Sequence, residues 1–469
     1  MRLLHAPAKS HASFDDPNLV SRGGLVPVMR LAECCGLAGL VDELVRIGSR
    51  LGVNAQLKVP GIVAGMVAGA DSIEDLDLLR HGAMGRLFGG IRAPSTLGSF
   101  LRAFTWGNVR QLETAGRLLL ARLARCVPLL PGADVLAFVD IDSTQKRVYG
   151  HAKQGAGFGH TKIQGKSLLV RGLNALVATV STPLAAPLIA ATRLRGGTAG
   201  SARGAASFVA EAIRAARAAG ATGLLIVRID SAYYAAAVIA AIHRAGARFS
   251  VTVRIDQKIR ATIASVPEHA WVSIRYPQAV WDDQLQQWIS DAQVAEICYT
   301  AFASKAGHPV TARLIVRRVR DRNPAASAGQ GELFVAYRYH AVFTDSPFQL
   351  IQAESQHRDH AIIEQVFAEL NDGPLAHLPS GVFTANAAWL TLTAIAHNLL
   401  RAAGCLASAF HAKARSATLR DHLVKVAARV AAGGRGHITL HLPEGWYHEH
   451  EWMTLHQASC GPPQLLPAA

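Results

Sequence analysis

The chain has 469 residues, half of them apolar, and carries 48 lysines and arginines against 33 aspartates and glutamates. This much apolar material can bury a large core, which excludes intrinsic disorder as a description of the whole chain. The formal net charge of +15 indicates a polyanionic partner, most commonly nucleic acid. The length predicts two to four domains, since a domain usually has roughly 100–200 residues.

The cysteines and the apolar runs predict a protein of a reducing cytoplasm that does not enter a membrane. None of the six cysteines forms a C-x-x-C pair, so neither a zinc site nor a disulfide framework is expected. Charged residues precede any long apolar run, which argues against a secretory signal. Two uncharged runs have spanning length, but prolines and polar residues interrupt them. We interpret Gly172–Thr192 as two strands with a turn and Gly373–Leu400 as a loop followed by a helix.

The first 130 residues are predicted to be helical. Apolar residues recur at spacings of three and four in Leu37–Val45 and Val63–Val67, and Gly36, Pro60 and Pro94 are expected to break helices. Several short helices on a basic module are typical of a DNA-binding domain of helix-turn-helix character. A helical packing domain with a solvated basic face fits these residues equally well.

After Pro131 the pattern becomes that of strands alternating with helices. The order β-β-β-α-β-α-β predicts an α/β fold with a mixed sheet and helices on both faces, which is the strand order of a ribonuclease H-like fold. Residues 131–255 are therefore the first part of a predicted catalytic core. The expected strands are Val135–Asp142, Ser167–Val180, Pro187–Thr192, Gly223–Asp230 and Arg248–Arg254, and the expected helices are Ser201–Gly220 and Ser231–Ala245.

Residues 256–348 are predicted to be a β-rich insertion rather than a linker. Strand-like segments occur at Ala312–Arg317 and Glu332–Tyr337, and a loop rich in Gly, Ser and Ala occupies Asn323–Gly331.

Helical periodicity then returns at His357–Leu370 and Asn386–Ala403, so residues 349–403 are predicted to complete the core. The remaining residues, 404–469, are predicted as a basic C-terminal region. Arg401–Arg435 contains seven basic residues and one acidic residue.

Two glycine-rich stretches resemble phosphate-binding loops but fail their spacing rules. Gly159–Ser167 has five residues between its glycines where a P-loop needs four, and a strand follows it instead of a helix. Gly155–Gly159 lacks the G-x-G-x-x-G spacing. ATP binding is therefore not expected, and Gly155–Gly159 is interpreted as a mobile loop near the site.

Acidic residues at strand ends are stronger evidence for a functional site than the glycine-rich stretches. Asp142 ends the first predicted core strand, and Asp230 ends the fourth. In the predicted fold these two strand ends are neighbours, so two hard oxygen ligands converge where a divalent ion can bind. Asp140 points to the same side of its strand as Asp142 and is an alternative ligand.

A third acid follows from helix geometry. At 100° per residue, His357, His360 and Asn371 fall within about 40° of Glu364, so four polar side chains share one stripe. Glu369 falls about 140° away from Glu364 and is expected to point elsewhere. Zinc is not predicted here, because no cysteine lies nearby and the H-E-x-x-H pattern is absent.

Taken together, these segments resemble the DDE transposases of bacterial insertion sequences, specifically the family numbered thirteen-eighty. The resemblance covers most of the chain, and the joint order and spacing of the fragments carry it. The fragments are Asp140–Thr144, Ser181–Pro187, Arg228–Ser231, His357–Glu364, Leu378–Asn386, Ala93–Gly98 and Leu101–Trp106.

The resemblance implies a ribonuclease H-like core whose acids bind two Mg²⁺ ions, for which Mn²⁺ can substitute. Carried over by position, the catalytic and metal-binding triad is Asp142, Asp230 and Glu364. The related Tyr-x-x-Arg-x-x-x-Glu signature, with a later Lys, is only partly present. His357, His360 and Asn371 stand where Tyr, Arg and Lys are expected, so Arg358 or the two histidines would contact phosphates.

The predicted function is metal-dependent cleavage of DNA ends and their transfer to target DNA. The expected partners are double-stranded DNA, namely terminal inverted repeats and target DNA, and a second copy of the chain, in bacterial cytoplasm at the nucleoid. Two alternatives stay open: a catalytically inactive DNA-binding derivative, and a metal-dependent nuclease without transposition. The expected contacts of the basic C-terminal region with DNA are Arg415, Arg420, Lys425 and Arg429.

Overall fold

The computed structural model describes residues 9–461 except 151, 164, 165, 201, 278, 285, 305–307 and 321–335. The predicted loop 323–331 and most of the predicted strand 332–337 therefore lie outside the described residues. The strands are β1 (Leu19–Val20), β2 (Leu136–Arg147), β3 (Gly157–Ile163), β4 (Lys166–Thr182), β5 (Ala185–Gly196), β6 (Leu224–Ile229), β7 (Arg248–Val253), β8 (Val272–Ser273), β9 (Val280–Asp282), β10 (Gln287–Ile289), β11 (Ala292–Ala301), β12 (Val310–Arg320), β13 (Tyr337–Thr344), β14 (Ala428–Ala432) and β15 (Ile438–His441).

The helices alternate with the strands in the middle of the chain and cluster at both of its ends. They are α1 (Leu25–Cys34), α2 (Leu37–Leu44), α3 (Ala55–Ala68), α4 (Met84–Leu87), α5 (Pro94–Arg102), α6 (Trp106–Cys126), α7 (Ala205–Ala218), α8 (Ala236–Arg244), α9 (Gln257–Ala264), α10 (Leu350–Arg358), α11 (Ile362–Asn371), α12 (Phe383–Ala407), α13 (Ala409–Lys413), α14 (Ser416–Leu419) and α15 (Glu449–Cys460).

A ten-stranded mixed sheet in the order β3-β4-β2-β6-β7-β13-β12-β11-β8, with β5 paired to β4, forms the centre of the molecule. β2, β6 and β7 are parallel neighbours, and the other pairs are antiparallel. The predicted mixed sheet with parallel β-α-β units is confirmed. One expectation is corrected: the predicted mobile loop Gly155–Gly159 is strand from Gly157 onward, because β3 begins there. The segment predicted as a β-rich insertion contributes β11, β12 and β13 to the central sheet.

The N-terminal and C-terminal helices share one core, which we call the helical lobe: α1–α6, α12–α15 and the small sheet β1-β14-β15. β14 pairs with β1, which joins residues 19–20 to residues 428–429. The stretches predicted as a first domain and a last region therefore pack together. Pro60, expected to break a helix, lies inside α3.

α12 is the centre of the helical lobe and joins it to the sheet. It is long and apolar enough to cross a membrane, but 89% of its most apolar stretch is buried within the protein. Its polar residues bind the neighbouring strand: Asn398 accepts a hydrogen bond from Ile189 N at 2.8 Å and donates one to Ile189 O at 2.9 Å. α12 is thus a core helix, and its side chains hold β5 in place.

Candidate active site

Parallel pairing of β2 and β6 brings the first two predicted acids together. The pairing register matches Asp140 with Arg228 and Ile141 with Ile229, and it ends there, where β6 stops. The next residues along these two strands are Asp142 and, immediately after β6, Asp230. β2 itself continues to Arg147, so Asp142 lies within a strand and not at its end.

A cleft of about 350 Å³ at this point collects the predicted residues. Arg317, His340 and Glu354 also line it, and no sequence argument had singled them out. The predicted residues that line the cleft are Asp142, Asp230, His357, Arg358, His360 and Glu364.

Of the three acids, Asp142 is partly buried, whereas Asp230 and Glu364 are exposed. Asp142 accepts a hydrogen bond from Ser143 N at 2.6 Å, and Asp230 accepts one from Ser231 N at 2.5 Å. Burial raises the pKa of Asp142, and the charges of Asp230 and Glu364 raise it further. Within the described part of the chain, none of the three forms an ion pair with a lysine or arginine. Carboxylates that face one another in this way suit a hard divalent cation such as Mg²⁺.

Asp140, the alternative ligand, is fully buried and already paired. Its two oxygens accept hydrogen bonds from Nε and Nη2 of Arg228, each at 2.7 Å, and Oδ1 lies 2.8 Å from Nδ1 of His360. Burial alone would raise the pKa of Asp140, but Arg228 and His360 hold it below its usual range. Arg228 also donates to the carbonyl of Gln356 at 2.6 Å. This network fastens the end of α10 to the sheet.

The helix that carries Glu364 is not continuous, which corrects the prediction. α10 ends at Arg358, a 3-10 turn spans Asp359–Ala361, and α11 begins at Ile362. The 3-10 turn interrupts the predicted α-helical stripe, and three of its four members line the cleft. Glu369 points away from the cleft as expected, but it forms a buried ion pair with Arg401 at 2.5 Å.

The prediction that His357 contacts DNA is corrected, because its side chain is buried. It is 8% exposed, and its two ring nitrogens lie 2.8 Å from the hydroxyl of Ser250 and 3.0 Å from that of Thr252. Burial lowers its pKa to about 3, so the ring is neutral at pH 7. His357 therefore ties α10 to β7 and has no nitrogen free for phosphate. Arg358 is half-buried and pairs with Glu354 at 3.0 Å.

Asn371, the fourth member of the predicted stripe, has a lysine as its partner. Nζ of Lys146, on β2, donates a hydrogen bond to Oδ1 of Asn371 at 2.6 Å. Burial lowers the pKa of this lysine to about 8. Sequence reasoning missed Lys146, because only the fold brings a residue of β2 to the end of α11.

The four predicted DNA contacts of the C-terminal region do not line the cleft. Arg415, Lys425 and Arg429 are exposed, and Lys425 pairs with Asp421 at 2.8 Å. Arg420 is only 6% exposed, which contradicts its predicted contact with DNA. Its guanidinium packs so close to Gly373 that a side chain there would collide with it.

The fold and the cleft define a class of α/β protein in which acids on neighbouring strands and a helix converge on one open site. The family model "Transposase DDE domain group 1" matches residues 6–458. The chain belongs to this family and is a transposase. No curated protein matches the chain.

One solved structure to which the chain is similar is the cryo-EM structure of the piggyBac transposase synaptic complex with hairpin DNA. The TM-score is 0.40 at 10% sequence identity, over 84% of this chain and 78% of that chain. A likeness of this size carries no information about individual side chains.

Proposed function

We propose that this transposase cuts the ends of a mobile DNA element and joins them to target DNA, using a ribonuclease H-like core with Asp142, Asp230 and Glu364 as its catalytic acids. The observation that carries the proposal is the convergence of these three carboxylates on one open cleft, where none of them forms an ion pair with a lysine or arginine among the described residues. We assign the element to bacterial insertion sequences on the quoted sequence fragments.

The three carboxylates would hold two Mg²⁺ ions, with Mn²⁺ as a substitute. When bound, such ions polarise the scissile phosphate, lower the pKa of an attacking water and stabilise the leaving oxygen. The carboxylates supply the metal ligands, and the fold fixes the distances between them. Asp140 and Arg228 serve this spacing by holding α10 against the sheet, which positions the segment that leads to Glu364.

The reaction has two steps at one site. Water first attacks the phosphorus at the element end, the bond to O3′ of the element breaks, and a free 3′-hydroxyl remains. That hydroxyl then attacks a phosphate of target DNA and displaces a target O3′. The number of phosphodiester bonds is conserved in the second step, so neither ATP nor a covalent enzyme intermediate is required.

Basic side chains around the cleft would hold the DNA backbone. His360 uses Nδ1 toward Asp140, which leaves Nε2 for a phosphate, and Arg358 lies beside it. The family signature has a lysine where this chain has Asn371. Lys146 would supply that positive charge instead, because its Nζ donates a hydrogen bond to Asn371. Exposed Arg415, Lys425 and Arg429 would contact DNA farther out, and the N-terminal helices would recognise terminal inverted repeats as part of a homodimeric synaptic complex.

The test uses DNA with the inverted repeats that flank the coding region. With Mg²⁺ and wild-type protein, we expect ends with a free 3′-hydroxyl and strand-transfer products. Asp142→Asn and Asp230→Asn should abolish both while end binding stays within a few-fold. Cleavage without strand transfer would identify a nuclease, and end binding without cleavage an inactive derivative. Activity in Asp142→Asn would contradict the assigned triad.

A further inference from the structure

Three histidines from separate segments of the helical lobe meet in space. His411 lies in α13, His422 in a π-helical turn over Arg420–Val424, and His448 directly before α15. One ligand nitrogen from each residue lies within 4.8 Å of the other two. None of these histidines lines the catalytic cleft, so the cluster is separate from the site described above.

The nitrogens of His411 and His422 have the spacing of two ligands of one small ion: Nε2 of His411 lies 3.1 Å from Nδ1 of His422. The rings of His422 and His448 stack with centroids 3.7 Å apart, so the His448 ring would turn to bring its Nε2 to the same ion. Two nitrogens bound to one tetrahedral zinc at about 2.0–2.1 Å would be about 3.3 Å apart.

A simple hydrogen bond between two neutral imidazoles would explain the contact of His411 with His422 but not the third histidine. Nε2 of His448 is buried, and it has no hydrogen-bond partner in the described structure. An unpartnered buried nitrogen is costly unless a ligand satisfies it.

Neighbouring polar groups orient two of the three rings. The hydroxyl of Ser408 lies 2.8 Å from Nδ1 of His411, which fixes the ring and leaves Nε2 facing His422. Glu451 lies 3.8 Å from Nδ1 of His448 and brings negative charge to the same side.

We propose that His411, His422 and His448 bind one Zn²⁺ ion that holds the C-terminal segment on the helical lobe. Imidazole nitrogens select zinc over magnesium, which prefers oxygen ligands. The ion would join α13, the π-helical turn and the start of α15. The chain between His422 and His448 contains β14 and β15, and β14 pairs with β1, so the ion would also brace the small sheet that links the two ends of the chain.

The experiment measures zinc in the full-length protein. Protein stripped with EDTA is reloaded with ZnCl₂ in excess Mg²⁺, passed over a desalting column and analysed by mass spectrometry for metal content. We expect about one zinc per chain, and a thermal midpoint that rises with zinc because the ion binds the folded state. Co²⁺ in place of zinc should give the visible absorption of a tetrahedral complex.

Matched variants locate the ion. His422→Ala and His448→Ala should lose the zinc, whereas His450→Ala, an exposed histidine two residues from His448, should keep it. Asp142→Asn should also keep it, which excludes zinc held by the catalytic acids. If the histidine variants do not fold, chelator titration of the wild type decides: removal of zinc should lower its thermal midpoint. Zinc retained by His422→Ala, zinc lost from Asp142→Asn, or a wild type that holds none would overturn the proposal.

Discussion

Asp140 and Asp142 lie two residues apart on β2, but the protein lowers the pKa of Asp140 and raises that of Asp142. Arg228 and His360 stabilise the charge of Asp140, whereas burial and neighbouring acids disfavour the charge of Asp142. Alternation along a strand predicts that both side chains share a face, but it cannot tell which of them has a basic partner. That distinction comes from the pairing register with β6, which sets Arg228 beside Asp140.

The two aspartates should therefore differ in stability measurements. Asp140→Asn breaks a buried ion pair and should lower the free energy of unfolding by about 3–5 kcal/mol. Asp142→Asn should raise the thermal midpoint at pH 7, because it removes a charge whose pKa is raised by folding. That gain should be present above the ordinary aspartate pKa of about 3.9 and vanish below it. Urea and thermal unfolding at pH 7 and pH 3 check this, and equal losses in both variants would contradict it.

The lowered pKa of Lys146 predicts how DNA affinity depends on pH. Its pKa of about 8 in the free protein means that it is charged at pH 7 and largely neutral at pH 9. Phosphate favours the charged form, so DNA affinity should fall as the pH rises from 7 to 9. Lys146→Arg stays charged and should show a smaller fall at fixed ionic strength in fluorescence anisotropy. An identical pH dependence in both proteins would exclude Lys146 from the DNA interface.

At the scale of elements, the 3-10 turn between α10 and α11 is a feature that hydrophobic periodicity in the sequence does not predict. The stretch from His357 to Leu370 contains no glycine or proline, so its sequence predicts one straight helix. The structure has a 3-10 turn over Asp359–Ala361 instead, beside two tertiary contacts: Arg228 donates to the carbonyl of Gln356, and His360 contacts Asp140. Spacing and resemblance singled out six of the residues that line the cleft, but not the 3-10 turn that precedes Glu364.

Strands with a clear apolar pattern were also predicted correctly, whereas a strand that depends on tertiary packing was missed. The apolar runs of β2, β4, β5, β6 and β7 were identified because buried strands are rich in branched apolar residues. β3 was missed because Gly157 and Gly159 weaken a strand pattern. Both are required by close packing, since a side chain at Gly159 would collide with Gln145 and with the carbonyl of Gly197.

At the scale of the whole molecule, charge along the sequence is a poor guide to charge on the surface. Arg401 and Arg420 belong to the basic segment but are buried, Arg401 by its pair with Glu369. The histidine cluster is likewise invisible to spacing rules, because its members are 11 and 26 residues apart and only the folded lobe joins them.

The exposed part of the basic segment predicts the salt dependence of DNA binding. Arg415→Gln combined with Arg429→Gln should reduce the slope of log affinity against log salt by about 1.8, since each phosphate contact contributes roughly 0.9. Arg420→Gln, a buried control, should lower stability and leave the slope of the folded protein unchanged. Affinity titrations at several salt concentrations measure this, and an unchanged slope in the double variant would remove these arginines from the interface.

The most direct test of the proposed catalytic site compares Glu364→Gln with Asp359→Asn on DNA carrying the terminal repeats. Both residues are exposed acids in or just after the 3-10 turn between α10 and α11, but only Glu364 lines the cleft. Glu364→Gln keeps the shape of the side chain and removes the charge that a divalent ion requires. We predict that it binds ends within a few-fold of the wild type while Mg²⁺-dependent cleavage and strand transfer fall to background, and that Asp359→Asn remains active. Full activity in Glu364→Gln, or loss of activity in Asp359→Asn alone, would contradict the assignment.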